Sequence, residues 1–145
     1  MSKYTYLNQG GPTVNLMSDD KQNFRIVNEA MKTANFDPSL IKTIWSIVAS
    51  IIHLGSVNYE SSEKDVNNNS SAAKGNLNEQ AKLSSDSLNE IKLISKLLKL
   101  DENELINSLT SRVIASGSRE VVTKYHSVKD ALYAKDALAK VCLFW

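Results

Sequence analysis

Residues 37–55 read DPSLIKTIWSIVASIIHLG, and this stretch decides the fold class. Asp37 is a good N-cap, and Pro38 suits the first helical position because its φ is fixed and its N–H is not missed there. Behind them Leu40, Ile41, Ile44, Trp45, Ile47, Val48, Ile51 and Ile52 cover most of the helix circumference, and Gly55 supplies a stop. A helix this apolar on every side must be surrounded by protein. Lys42, Ser46, Ser50 and His53 interrupt the run 40–54, which is shorter than the ~20 residues of a membrane span. The expectation is a mainly α protein.

Working outward, Ser18-Asp19-Asp20 opens an earlier helix with the stripe Phe24, Val27 and Met31, closed by Asn35-Phe36. Downstream, Val57 and Tyr59 alternate as a short extended segment. From Glu60 to Lys82 the composition turns to Ser, Asn, Lys and Glu, too polar to offset ordering entropy, which predicts a long flexible loop. Ser87-x-x-Glu90 has the pattern of a capping box for a helix with Leu88, Ile91, Ile94, Leu97 and Leu98. Asp101-x-x-Glu104 opens a shorter one with Leu105, Ile106 and Leu109. Two β-branched runs, 112–115 and 120–124, flank Ser116-Gly117-Ser118-Arg119 and predict a hairpin. A last helix from near Ser127 carries Val128, Ala131, Leu132, Leu138 and Val141. With a long loop in a chain of 145 residues, these helices have more apolar surface than they can cover for one another.

Composition excludes several functions. Net charge is +1 with both signs scattered, so bulk charge supports neither a nucleic-acid nor a membrane partner. The single Cys142 permits no intrachain disulfide, and Met1–Gly10 lacks the apolar run of a signal peptide; a cytoplasmic protein is expected. No G-x-x-x-x-G-K-[ST] loop is present to cradle phosphates. His53 and His126 have no Cys partners and read as packed residues, Cys142 as a core residue, Asp19-Asp20 as a helix-dipole complement, and Trp45 and Tyr59 as core aromatics. No catalytic, cofactor-binding or metal-binding residue emerges.

Several stretches, collinear and suitably separated, resemble the myosin motor domain. Tyr6-Leu7-Asn8-Gln9-Gly10-Gly11 is similar to Y-L-N-Q-[GS]-G, and Phe24 with Glu29-Ala30-Met31 to F-x-x-x-x-x-A-M. Ile44 to Gly55 resembles the helix ending I-L-H-L-G, its tryptophan suiting class I members. Leu109-Thr110-Ser111-Arg112 is similar to L-T-x-R, and Tyr133-Ala134-Lys135-Asp136-Ala137-Leu138-Ala139-Lys140 to Y-A-R-D-A-L-A-K. The match covers nearly everything except residues 60–82, and it degrades after Lys140.

The resemblance implies that residues 1–145 are a partial motor domain, an internal part of the upper 50-kDa subdomain. It would be mainly α with a short β-hairpin, and would lack the central nucleotide-binding sheet of this P-loop NTPase superfamily head. Residues 60–82 would be the flexible loop called loop 4, and the hairpin from Arg112 to Lys124 the actin-contacting cardiomyopathy loop. Actin-binding residues would be Arg112, Ser116, Gly117, Ser118, Arg119, Glu120 and Lys124. Glu120 falls at the regulatory TEDS position, which holds either a phosphorylatable hydroxyl or a fixed acid.

ATP and Mg are implied for the parent motor, an actin-activated ATPase. The P-loop and switch I are expected upstream and switch II downstream, so this piece would not be a motor by itself. Implied partners are actin filaments and the remainder of the motor domain, with light chains or calmodulin reached only through absent regions. The implied location is the actin cytoskeleton. The competing reading is a stand-alone small helical module that binds actin or another protein without ATPase activity.

Overall fold

The computed structural model describes residues 4–9, 19–63, 79–115 and 121–144. Among them the elements run α1 (Thr5–Asn8), α2 (Asp20–Thr33), α3 (Pro38–Leu54), β1 (Tyr59–Glu63), β2 (Glu79–Leu83), α4 (Ser85–Leu98), α5 (Glu102–Thr110), β3 (Ser111–Ala115), β4 (Val121–Tyr125) and α6 (Val128–Phe144). The protein is mainly α, with two separate two-stranded antiparallel pairs, β1–β2 and β3–β4.

Local chemistry sets most helix starts. The carboxylate of Asp19 accepts from the N–H groups of Lys21 and Gln22, that of Asp37 from Ser39, and that of Asp101 from Asn103 and Glu104. Hydrogen bonds from Ser39 hold the Asp37 carboxyl below its ordinary pKa. At the start of α6 the Ser127 hydroxyl donates to Asp130 and accepts from the Asp130 N–H, and that hydroxyl is the main reason the Asp130 carboxyl is also lowered. Asn35 after α2 and Lys99 after α4 take left-handed backbone, at φ 65° and 57°, which turns the chain.

The core forms around α4. Ile91 and Ile94 are wholly buried among Leu54 and Val57 from the end of α3, Leu83 of β2, Leu105 and Leu109 of α5, and Ala139 of α6. Helix α6 approaches through Ala131, Lys135 and Ala139, spaced four apart on one face. The expected stripe on this helix is corrected in part: Ala131 is buried and Leu138 packs against the core, but Leu132 and Val141 face outward. Two alanines let the helix come close where leucines would hold it off.

Three further readings change. The N-cap of α4 is Ser84, and Ser87 sits inside the helix, wholly buried. Its hydroxyl donates to the Asn58 carbonyl at 3.0 Å and accepts from the Asn58 N–H at 2.8 Å, while Glu90 meets His53. The capping-box pattern is therefore a tertiary clasp. The segment 60–82 is not loop throughout, because Tyr59–Glu63 pairs with Glu79–Leu83 in register from Tyr59↔Leu83 to Glu63↔Glu79. Backbone pairing needs no apolar side chains, so composition hid it; residues 64–78 lie outside the described residues. Finally, α3 is covered only in part: Ile41, Ser50 and Leu54 are buried, whereas Leu40 and Val48 are exposed.

Candidate functional site

The β3–β4 hairpin is the candidate site. Its register runs from Ser111↔Tyr125 through Arg112↔Lys124, Val113↔Thr123 and Ile114↔Val122 to Ala115↔Val121. Directly opposed residues of an antiparallel pair share a face, and successive residues alternate faces. One face therefore carries Val113, Thr123, Val121 and Tyr125, the other Arg112, Lys124, Ile114 and Val122. All five β4 residues are exposed, and Val113 and Val121 are each 68% exposed. Exposed β-branched rows on a two-stranded ladder have no reason to exist in isolation, since such a ladder is marginal in water.

Of the predicted site residues, the structure brings Arg112 and Lys124 together as cross-strand neighbours, both exposed. Two cations placed directly opposite repel, so this face suits an anionic surface. Asp130 lies close enough to Arg112 and His126 for both to contribute to its lowered pKa, after the Ser127 hydrogen bonds. Ser116, Gly117, Ser118, Arg119 and Glu120 lie outside the described residues. The described strands of the hairpin offer charge and apolar contact.

Main-chain bonds of His126 hold the base of the hairpin, and a polar junction lies further along α6; sequence reasoning missed both. The His126 N–H donates to the Thr110 carbonyl at 2.8 Å, and the His126 carbonyl accepts from Ala81 N–H at 2.9 Å. Further along α6, Asp136 accepts from the Tyr6 hydroxyl at 2.5 Å. Beside it the buried Lys135 donates from Nζ to the Val57 carbonyl at 3.1 Å and stands 5.6 Å from the centre of the Tyr6 ring. Gly55 is needed here for space: a Cβ would stand 2.7 Å from Cγ and Cδ2 of Tyr6. Its φ of −59° makes no demand for glycine.

Burial, then the Asp136 carboxylate, raises the Tyr6 phenol; the same two causes raise Tyr59, whose buried hydroxyl has no hydrogen-bond partner. Burial lowers Lys135. His53 Nδ1 lies 2.6 Å from Glu90 and its ring meets Tyr4 edge-on. The junction thus ties Tyr6, Gly55 and Asp136, each drawn from a different motif-like stretch. The one available signal was this clustering of polar residues in segments that resemble a single family.

Other candidates carry no chemistry. Burial raises the Cys142 thiol, which works against nucleophilic use. Among the described residues no group of three or more His, Cys, Asp or Glu side chains is placed to hold a metal ion. No helix among them is long and apolar enough to cross a membrane.

Comparison with known proteins agrees with the junction. The myosin head (motor domain) family matches residues 1–144. Unconventional myosin ID of Drosophila melanogaster is 34% identical over 138 residues, covering 95% of this chain and 12% of that protein. Unconventional myosin-Ig of Mus musculus is 32% identical over 126 residues, 87% of this chain and 11% of its own length. Human unconventional myosin-Id is 29% identical over 142 residues, 97% of this chain. The chain spans about 12% of the length of most of these curated relatives. With a match that runs from Tyr6 through Gly55 to Asp136, the residues that meet at the junction, the chain belongs to the myosin head (motor domain) family.

Proposed function

We propose that this chain is part of an actin-based, ATP-driven motor head, in which it supplies filament contacts and scaffold. The observation that carries the reading is the exposed β3–β4 hairpin, with Arg112 and Lys124 opposed on one face, standing on a buried base in a chain of the myosin head family. An acidic surface on the filament would complement that pair. In the parent head, a member of the P-loop NTPase superfamily, ATP and Mg would be bound elsewhere. The sequence has no phosphate-cradling Gly-Lys loop, and the described residues offer no acid cluster for Mg. The residues present do not fit the nucleotide, and no step of hydrolysis is assigned to them. Residues 60–82 would occupy the place of loop 4, and the reading puts the protein on the actin cytoskeleton.

Glu120, in the proposed TEDS position, gives a fixed negative charge where a phosphoryl group would add about −1.5 to −2. Filament engagement would then need no heavy-chain kinase. Glu120→Ala in a complete motor should weaken actin activation of the ATPase; an unchanged rate removes this idea.

The wider reading is tested by exchanging this chain for the matching segment of the Drosophila relative's head and measuring actin-activated ATPase. An active chimera whose half-maximal actin concentration rises several-fold on joint replacement of Arg112 and Lys124 by alanine is the expected result. A chimera indifferent to both charges would dismiss the hairpin as a filament contact.

A second reading, a stand-alone binding module, draws on the core around α4, which is assembled from the chain's own residues. Cooperative unfolding of the isolated chain as a monomer that binds filaments would favour it.

A further inference from the structure

Both strand pairs of this fold have two strands, and a two-stranded ladder is marginal in water unless something holds it. In this chain both are held at one residue. Thr110 ends α5 directly before β3, and His126 directly follows β4. The N–H of His126 donates to the Thr110 carbonyl at 2.8 Å, and its carbonyl accepts from Ala81 in β2 at 2.9 Å. The first continues the β3–β4 register one pair beyond Ser111↔Tyr125, and the second lies outside both strand pairs. Ala81 is buried at the contact, so water cannot readily replace the bond. The His126 ring contributes no hydrogen bond through Nδ1, which is out of solvent and without a partner. The joint is made by main chain alone.

We infer that the β1–β2 stem and the β3–β4 hairpin form one mechanical unit through the main chain of His126, so that engagement of the hairpin by a filament firms β2 and, through it, β1. The filament half of this statement rests on the reading of the hairpin as an actin contact; the joint does not. Coupling of this kind is reciprocal: whatever firms the β1–β2 stem also steadies the hairpin. A partner that grips both would gain, because ordering one stem leaves less to order in the other.

Two substitutions cut the joint, the first without touching the β3–β4 register and the second at its base. Ala81→Pro deletes the N–H that reaches His126, and His126→Pro deletes the N–H that reaches Thr110. Each follows a strand residue, whose extended backbone is what the position before proline requires. Amide hydrogen exchange is measured on the full chain, with helix content checked by circular dichroism. With Ala81→Pro, the β3–β4 ladder amides should exchange several-fold faster, although the substitution lies in the other pair. With His126→Pro, the β1–β2 ladder amides should do the same. Unchanged exchange in the opposite pair, in a variant that keeps its helices, overturns the joint.

Adding actin filaments to the unaltered chain should slow exchange in both pairs, and in Ala81→Pro only in the hairpin. Slowing of β2 that survives Ala81→Pro would mean direct contact with the filament and would overturn transmission through His126. If filaments leave the hairpin untouched while the crosswise loosening persists, the filament reading fails and the joint stands.

Discussion

Helices α2 and α4 are both fourteen residues long, and both are amphipathic, yet α4 buries Ser87, Ile91, Ile94 and Ser95 while α2 buries nothing. The difference lies in what faces them. Helix α4 is ringed by α3, α5, α6 and β2. Helix α2 meets α3 through Phe24 against Trp45, ring centres 4.5 Å apart, and through Asn28 accepting from Trp45 Nε1 at 3.3 Å. Its Val27 remains about half exposed. An amphipathic pattern states that a face will be covered; it does not say that the cover lies in the same stretch of chain.

The largest expected effect tests that contrast. Ile91→Ala removes a wholly buried side chain from the centre of the core and should cost about 3–4 kcal/mol in denaturant unfolding. Val27→Ala on α2 should stay within about 0.5 kcal/mol, as an exposed site does. Equal costs would show that α2 is covered after all.

Next in size is Ser87→Ala. The hydroxyl bonds both main-chain groups of Asn58; its loss leaves the Asn58 N–H without its partner, while the carbonyl keeps the Ser84 N–H, costing about 2 kcal/mol. Thr43→Ala on the exposed side of α3 removes a hydroxyl bonded only within its own helix, to the Ser39 carbonyl, and should be close to neutral. Similar melting temperatures for the two variants would remove the clasp as an account of how α4 holds the end of α3.

This pair also shows what was legible in the sequence. Asp19, Asp37 and Asp101 announce their helices because a cap is a contact with the next two or three residues. Ser87-x-x-Glu90 carries the same local pattern, but Ser87 binds a residue 29 positions away, and no local rule can see that. The hairpin was legible from its β-branched runs, and Arg112 opposite Lys124 follows once its register is fixed. The β1–β2 ladder was hidden because its residues are polar. The Tyr6 junction was hidden because it joins residues 130 positions apart. The motif-like stretches pointed to a family without showing that Tyr6 meets both Gly55 and Asp136.

Third comes the strap formed by α1. Tyr6→Phe deletes a short bond to a carboxylate and should cost about 1.5 kcal/mol, whereas Tyr59→Phe removes a hydroxyl with no partner and should be neutral or slightly stabilising. Gly55→Ala drives a methyl into the Tyr6 ring, so its cost should fall sharply in a Tyr6→Ala background; simple additivity would contradict the close approach.

Both phenols lie above their ordinary value near 10 in the folded chain. The folded form keeps protons that the unfolded form has released, so this stability is fully present below about pH 10 and is lost as pH rises further. Lys135 works in the opposite direction, because burial makes the folded chain give up that proton first. Two tyrosines oppose one lysine, and net alkaline destabilisation should begin above about pH 10. Absorbance titration should show two of the five tyrosines ionising only with unfolding, and one fewer in Tyr6→Phe.

The smallest expected effect on stability belongs to the hairpin, where the contrast between core and exposed face is sharpest. Arg112 and Lys124 repel across the ladder, so replacing either with alanine should leave stability unchanged or raise it by at most about 0.5 kcal/mol. Residues kept for folding would behave in the opposite way. If the pair is held for an anionic partner, the same substitutions should weaken filament co-sedimentation, and the loss should shrink as salt is raised, because exposed charges are screened within about 8 Å at physiological ionic strength. A binding loss that is independent of salt would point instead to the apolar face of Val113, Val121 and Tyr125, which one strand position separates from the basic one. The two faces of one hairpin can therefore be told apart by ionic strength alone, without a structure of the complex.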